Sequence, residues 1–139
     1  MTQIDFHTNI ADIALYGCRL VRKANSVSPA SRITVFLRHD QINDFDRLLW
    51  TFSPQDFLAH AIEGEEAAEK SKIILSANGN NLPQGDILIN LSGEMPQSFA
   101  QFERMFEIVS RKDGDVISAR ERYSYYRQRG YSLTHKSVG

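Results

Sequence analysis

Residues 120 to 131 of the chain read RERYSYYRQRGY and contain four arginines and four tyrosines, with Glu121 as the single acidic residue. Arginine side chains pair with carboxylates and phosphates in a bidentate manner. Tyrosine supplies a rigid apolar ring with a polar tip. A segment that combines the two residue types suits an anionic ligand that also has an apolar part.

Helical spacing distributes these residues over neighbouring faces of one helix. One stripe holds Val116, Arg120, Tyr123 and Arg127, and its flank holds Ala119, Tyr123, Tyr126 and Gly130. Since Glu121 is the single acid of the segment, most guanidinium groups lack a local partner. The alternative is a terminal helix that packs Tyr123 and Tyr126 into the core and leaves its arginines in solvent.

Trp50 is a second candidate for ligand binding. It follows Leu49, so on a helix it points about 100° away from the inner stripe to which Leu49 belongs. Phe57 comes shortly afterwards, beyond Pro54. The alternative is a boundary tryptophan that seals the edge of the core.

Catalytic and cofactor motifs are missing from the sequence. The segment HTNIADIA after the first strand has no glycine through which backbone amides could approach a pyrophosphate, and no phosphate-binding loop motif or G-x-S-x-G motif occurs. The four histidines and Cys18 do not have a metal-ligand spacing. The sequence therefore predicts neither a cofactor nor a metal site, and nothing in it requires an enzyme.

The elements that must position these residues follow from hydrophobic periodicity. The first helix is predicted with Asn9 as its N-cap, and the second with Asp40 as its cap. The third is predicted to begin near Asp113 or Asp115 and to end at Gly130 in the C′ position. Strands are predicted at 4–8, 32–38, 72–77, 86–92 and 105–109, with a short helical turn at 98–102. This order predicts one α/β domain over residues 1–139, with a largely parallel sheet and helices on both faces.

The charge is distributed unevenly along the chain. The net charge of -1 combines about -5 over residues 1–110 with about +4 over residues 111–139. A protein that coats nucleic acid would be more broadly basic, so a local anionic partner is favoured. A single cysteine, the absence of a membrane-length apolar run and an N-terminus unlike a signal peptide predict a cytoplasmic protein without membrane contact.

Three blocks of the sequence resemble the chi subunit family of bacterial DNA polymerase III, an accessory protein of the clamp loader. They are DRLLWTFSPQDFLAH at 46–60, GDILINLSGEMPQSFAQFERMFEIV at 85–109 and ARERYSYYRQRGYSL at 119–133. The third block carries the most specific signature, Arg-Glu-Arg-Tyr followed by Tyr-Arg and a glycine. Ser124 and Val116 stand where the family usually has basic residues.

The resemblance implies a Rossmann-like fold without a nucleotide site and a non-catalytic role in DNA replication. It implies binding to the acidic C-terminal tail of single-stranded DNA-binding protein, which ends in a phenylalanine with a free carboxylate. It also implies a link to the clamp loader, in some bacteria through a second small subunit, psi, so that contact with DNA is indirect.

The same resemblance implies roles for individual residues. Trp50 and Phe57 would form part of an apolar pocket, with Arg120 and Tyr123 beside it. Arg120 would hold the terminal carboxylate of the tail, and Arg127 would attract its acidic residues. The remaining motif positions would support the site or serve packing and the helix end: Arg122, Tyr126 and Gly130.

Two other classes of function stay open from the residues alone. One is an α/β enzyme that depends on a nucleotide. The other is a direct binder of single-stranded nucleic acid that uses the helix rich in arginine and tyrosine.

Overall fold

Short runs of buried apolar residues build the centre of a parallel β-sheet. The computed structural model describes residues 1–53, 55, 57–83 and 85–139. The strands are β1 (Gln3–Ile10), β2 (Ile33–Phe36), β3 (Ala61–Ile62), β4 (Ile73–Ser76), β5 (Ile87–Asn90), β6 (Arg104–Ser110) and β7 (Ser132–Ser137). The α-helices of the described residues are α1 (Ile13–Val27), α2 (His39–Thr51) and α3 (Asp113–Gln128).

The seven strands form one sheet in the order β3-β4-β2-β5-β6-β1-β7. Every neighbouring pair is parallel. Parallel strands need crossover connections, and α1, α2 and α3 supply those from β1 to β2, from β2 to β3 and from β6 to β7. The prediction of an α/β fold with a largely parallel sheet, of Rossmann-like type, is confirmed.

Helices cover both faces of the sheet, and the sheet separates two apolar clusters. Alternate strand residues point to opposite faces, so Val35 packs in the cluster beneath α1 and α2, whereas Phe36 packs in the cluster beneath α3. The first cluster also contains Phe45 and Leu49 of α2, and the second contains Tyr126 of α3. Residues on α2 and α3 therefore lie on opposite sides of the sheet.

The predicted N-cap of the first helix is wrong. Asn9 lies within β1 and has a left-handed φ of 63°, while Asp12 is the N-cap and accepts a hydrogen bond from the backbone N–H of Leu15 at 3.1 Å. The pairing of β1 with β6 is irregular between His7 and Ile10. Asparagine tolerates the left-handed region better than most residues, so it can extend the strand through this irregularity.

Two strands escape the sequence prediction because neither has an apolar run. β3 has only two residues, and β7 reads SLTHKS and is mostly exposed. β7 is held mainly by backbone pairing to β1, from Gln3 opposite Ser132 to Thr8 opposite Ser137. A short or polar strand at the edge of a sheet is common, since it discourages pairing with other chains.

Other sequence predictions for individual positions are confirmed. Gly130 follows α3 with a φ of 81°, as expected for a C′ glycine. The segment at 98–102 contains a short 3-10 helix, Phe99–Gln101. Cys18 is fully buried in α1, and burial together with the charge of Asp12 raises the pKa of its thiol to about 12, so the thiol is protonated at neutral pH.

His7 makes the stability of the fold depend on pH. Its Nδ1 lies 2.6 Å from the Tyr16 hydroxyl, and burial, together with the charge of Lys136, lowers its pKa. The unfolded chain thus takes up a proton more readily than the folded chain, and the free energy of unfolding should fall as pH drops from 7 through His7's unfolded pKa of about 6.5. We expect His7→Gln to reduce this loss, as measured by urea unfolding at pH 7 and pH 5.

His39→Gln is the matched control, because His39 is exposed at the start of α2. The loss of stability between the two pH values should be the same in this variant as in the wild type. An unchanged pH dependence in His7→Gln would contradict the role given to His7.

Candidate functional site

A cavity of about 400 Å³ lies between α3 and the strands β1, β6 and β7. Its apolar floor consists of Phe6, Val109, Val116 and Ala119. The ring of Tyr123 forms one wall and meets Phe6 edge to face, with 5.2 Å between the ring centroids. The floor and this wall could accept an apolar group of the size of one side chain.

The rim of the cavity is basic. Arg120 comes from α3, Arg111 from the turn after β6, and His135 from β7. Nε2 of His135 lies 2.7 Å from the Thr8 hydroxyl. Among the described residues, no aspartate or glutamate lines the cavity and none forms an ion pair with Arg111 or Arg120. The site therefore attracts negative charge.

The orientation of α3 is fixed from beneath by a buried carboxylate. Glu107 of β6 is fully buried and accepts hydrogen bonds from Nε of Arg122 at 3.2 Å, from the Tyr126 hydroxyl at 2.7 Å and from Nδ2 of Asn90 at 2.9 Å. Arg122 also donates to the Gly93 carbonyl oxygen at 2.8 Å. The carboxylate and the guanidinium group thus find their partners within the protein.

Burial strongly raises the pKa of Tyr126, and the neighbouring carboxylate of Glu107 adds to this effect. The tyrosine hydroxyl is therefore a permanent hydrogen-bond donor to Glu107 at neutral pH. Arg122 and Tyr126 belong to the packing of α3 on the sheet.

The helical repeat separates this internal face from the cavity face. Arg122 and Tyr126 are one turn apart and point to the sheet, whereas Arg120 and Tyr123 point to the cavity. Arg127 lies on the stripe of Arg120 and is exposed, but it does not line the cavity.

The expectation that Trp50 and Phe57 share one pocket with Arg120 is wrong in its geometry. Trp50 belongs to α2, on the face of the sheet opposite α3, and neither aromatic residue lines the cavity. The two rings lie together instead, 5.3 Å apart. The likeness in sequence pointed to these residues but carried no information about which face of the sheet they occupy.

Trp50 and Phe57 form an exposed aromatic pair. They are 41% and 80% exposed. The indole stacks on the ring of His60 at 4.1 Å, and the buried His60 is held by Asp46 at 2.9 Å. Pro54 and Asp56, which belong to the same turn, lie outside the described residues.

A model of one protein family matches residues 1–134 of the chain, and its description is "DNA polymerase III chi subunit, HolC". The chain belongs to the DNA polymerase III chi subunit family. It is 30% identical over 140 residues to DNA polymerase III subunit chi of Pseudomonas aeruginosa, covering 96% of this chain and 94% of the relative. It is 34% identical over 100 residues to the subunit of the same name from Haemophilus influenzae, and this match covers 71% of this chain and 69% of the relative.

Membership of the chi family agrees with an accessory role in DNA replication. Within the described residues, no group of three or more His, Cys, Asp or Glu side chains is arranged to hold a metal ion. Among the same residues, no helix is both long and apolar enough to cross a bilayer.

Sequence reasoning missed two basic residues of this chi-family cavity. Arg111 is a single arginine in a turn, and His135 lies in the unpredicted strand β7. Neither belongs to the motif at 120–131. Only the placement of β1 between β6 and β7 brings them to the same cavity as Arg120.

Replacement of Arg122 should destabilise the protein far more than replacement of Arg120. Arg122→Leu leaves the Glu107 carboxylate buried without its cation, which should cost about 3 to 5 kcal/mol of the free energy of unfolding. Arg120→Leu changes an exposed residue and should cost less than about 0.5 kcal/mol. Urea unfolding of the two variants measures the difference, and equal stabilities would contradict the assignment of Arg122 to the core.

Proposed function

We propose that this chi-family protein binds the acidic C-terminal tail of single-stranded DNA-binding protein in the cavity beside α3 and links that protein to the clamp loader. The observation that supports this function best is an apolar cavity with a basic rim that no described carboxylate neutralises. The tail implied by the family resemblance ends in a phenylalanine with a free carboxylate, and therefore presents an apolar ring and negative charge together.

Each part of the cavity has a counterpart in such a ligand. The phenyl ring would pack on Phe6 and against Tyr123, and the guanidinium group of Arg120 would pair with the terminal carboxylate. Arg127, exposed on the same stripe of α3, would attract acidic residues that precede the end of the tail.

The expected affinity is moderate. A charge-assisted hydrogen bond at a partly shielded site contributes about 1.5 to 3 kcal/mol, and burial of a phenyl ring contributes about 2 kcal/mol. Association entropy offsets part of this gain, so binding at about micromolar strength is expected, with lower affinity at high salt.

A linking protein needs a second surface, and the exposed pair of Trp50 and Phe57 is the best candidate for it. The pair lies across the sheet from α3, so a partner bound there would leave the cavity accessible. Aromatic residues are enriched at the energetic centres of protein interfaces. We assign this aromatic pair to the clamp-loader side, either directly or through a psi subunit.

A non-catalytic role follows from the same assignment. Two measurements distinguish this role from the two alternatives, a nucleotide-dependent enzyme and a direct binder of single-stranded nucleic acid. We expect no nucleotide hydrolysis by the purified protein and no tight binding of single-stranded DNA in a gel-shift without single-stranded DNA-binding protein.

Arg120→Ala should remove most binding of the tail while the fold survives, because Arg120 is exposed and supplies the partner of the terminal carboxylate. Isothermal titration calorimetry with a synthetic acidic peptide that ends in phenylalanine should show a loss of about 10-fold or more. Arg47→Ala, at an exposed position of α2, is the control and should bind as the wild type does. Unchanged affinity in Arg120→Ala would refute the role of Arg120.

Phe57→Ala should weaken binding to the clamp loader by about 10-fold or more, since truncation of an anchoring aromatic residue is costly at an interface. Its affinity for the tail peptide should not change. A pull-down with purified clamp loader measures the first effect, and calorimetry measures the second. Val27→Ala, an exposed apolar position of α1 on the same side of the sheet, should leave both unchanged.

The opposite pattern would reverse the assignment of the aromatic pair. If Phe57→Ala weakened binding of the tail peptide and not of the clamp loader, Phe57 would belong to the tail site despite its distance from the cavity lining.

A further inference from the structure

Arg111 shares the cavity with Arg120 but reaches it from a different element. It lies in the turn between β6 and α3, outside the motif at 120–131. The cavity therefore receives guanidinium groups from two independent parts of the chain. A ligand with one negative charge needs only one of them.

The guanidinium group of Arg111 is held from one side. Its Nε–H donates to Oδ1 of Asn9 at 3.0 Å and to the backbone oxygen of Asn9 at 3.3 Å. A Cβ atom added at Gly139 would collide with Asn9 and with Nη2 of Arg111, so Gly139 lies directly beside these two residues. Anchoring through Nε fixes the plane of the guanidinium group. Less side-chain entropy is therefore lost when the remaining N–H groups of Arg111 bind an anion.

Asn9, which accepts these hydrogen bonds, has a left-handed backbone conformation. Its φ of 63° is unusual for a residue other than glycine, and it coincides with the irregular pairing of β1 and β6 after His7. Such conformations persist where the surrounding structure holds them, and they are frequent at functional sites. The irregularity in β1 and the position of Arg111 are thus parts of one local arrangement.

We propose that Arg111 is a second carboxylate-binding residue of the cavity, and that it pairs with an acidic side chain of the same peptide whose terminal carboxylate binds Arg120. This inference rests on the proposed function, and it gives the site selectivity for a chain end that is both apolar and acidic. An apolar chain end without acidic side chains would use Arg120 and the floor of the cavity but leave Arg111 without a partner.

Calorimetry with two peptides tests this assignment. The first peptide is acidic and ends in phenylalanine, and the second has the same sequence with its aspartates replaced by asparagines. Arg111→Gln should lower the affinity for the acidic peptide by about 5-fold, as expected for a partly screened ion pair, and leave the affinity for the amide peptide unchanged. Arg120→Gln should lower both affinities.

Two further variants serve as controls. Asn9→Gly keeps the left-handed backbone conformation and removes the side-chain anchor, so it should lower the affinity for the acidic peptide by a smaller factor, about 2-fold. Arg47→Gln, on the opposite side of the sheet, should match the wild type with both peptides. The thermal unfolding midpoint of each variant verifies that the fold is intact.

The outcomes separate this inference from the proposed function. Suppose that the wild type binds the acidic peptide, and that Arg111→Gln has the wild-type affinity for each of the two peptides. The role of Arg111 is then refuted, and the tail-binding function stands. An equal loss with both peptides would also refute it, because Arg111 would then act on the terminal carboxylate or on the cavity as a whole. No binding by the wild type would overturn both proposals.

Discussion

The structure depends on how the protein satisfies one buried carboxylate. An unpaired carboxylate in an apolar core would cost several kcal/mol, so Glu107 requires donors that are themselves buried. Arg122 and Tyr126 supply them from α3, and their positions one turn apart determine the rotation of that helix on the sheet. Once this rotation is set, Arg120 and Tyr123 lie on the neighbouring face of the helix, and that face borders the cavity.

The cavity occupies a place where open parallel sheets commonly bind ligands. It is bordered by Asn9 near the carboxyl end of β1 and by Ser110 at the carboxyl end of β6. Proteins that bind nucleotides there use glycine-rich turns whose backbone amides approach phosphates. In this chain arginine side chains supply the positive charge instead, so the same edge of the sheet attracts anionic groups.

A parallel sheet covered on both faces also separates the cavity from the exposed aromatic pair. The helix α3 and the cavity lie on one side, and Trp50 of α2, with the ring of Phe57 against it, lies on the other. The sheet between them is continuous, because the central strand β2 is paired with β4 on one side and with β5 on the other. Two partners could therefore be held at once without competing for the same residues, which is the property that a linking subunit needs.

The sequence by itself determined the fold class, most helices and central strands, and the family. Buried runs such as ITVF in β2 and the periodic stripes of α1 and α2 depend on local pattern, which a single sequence displays directly. The motif at 120–131 identified Arg120 and Tyr123 for the same reason, since both lie on one helix and their relative positions follow from its repeat.

Only the tertiary structure decided which distant residues share a site. Sheet order is set by long-range packing and backbone pairing, so it brings Arg111 and His135 to Arg120 and leaves Trp50 and Phe57 on the opposite face. The strand β7 could not be predicted for a related reason. Backbone hydrogen bonds to β1 hold it, and its sequence has no apolar side-chain pattern. Local spacing fixes neighbours on one element, whereas contacts between elements arise from the whole fold.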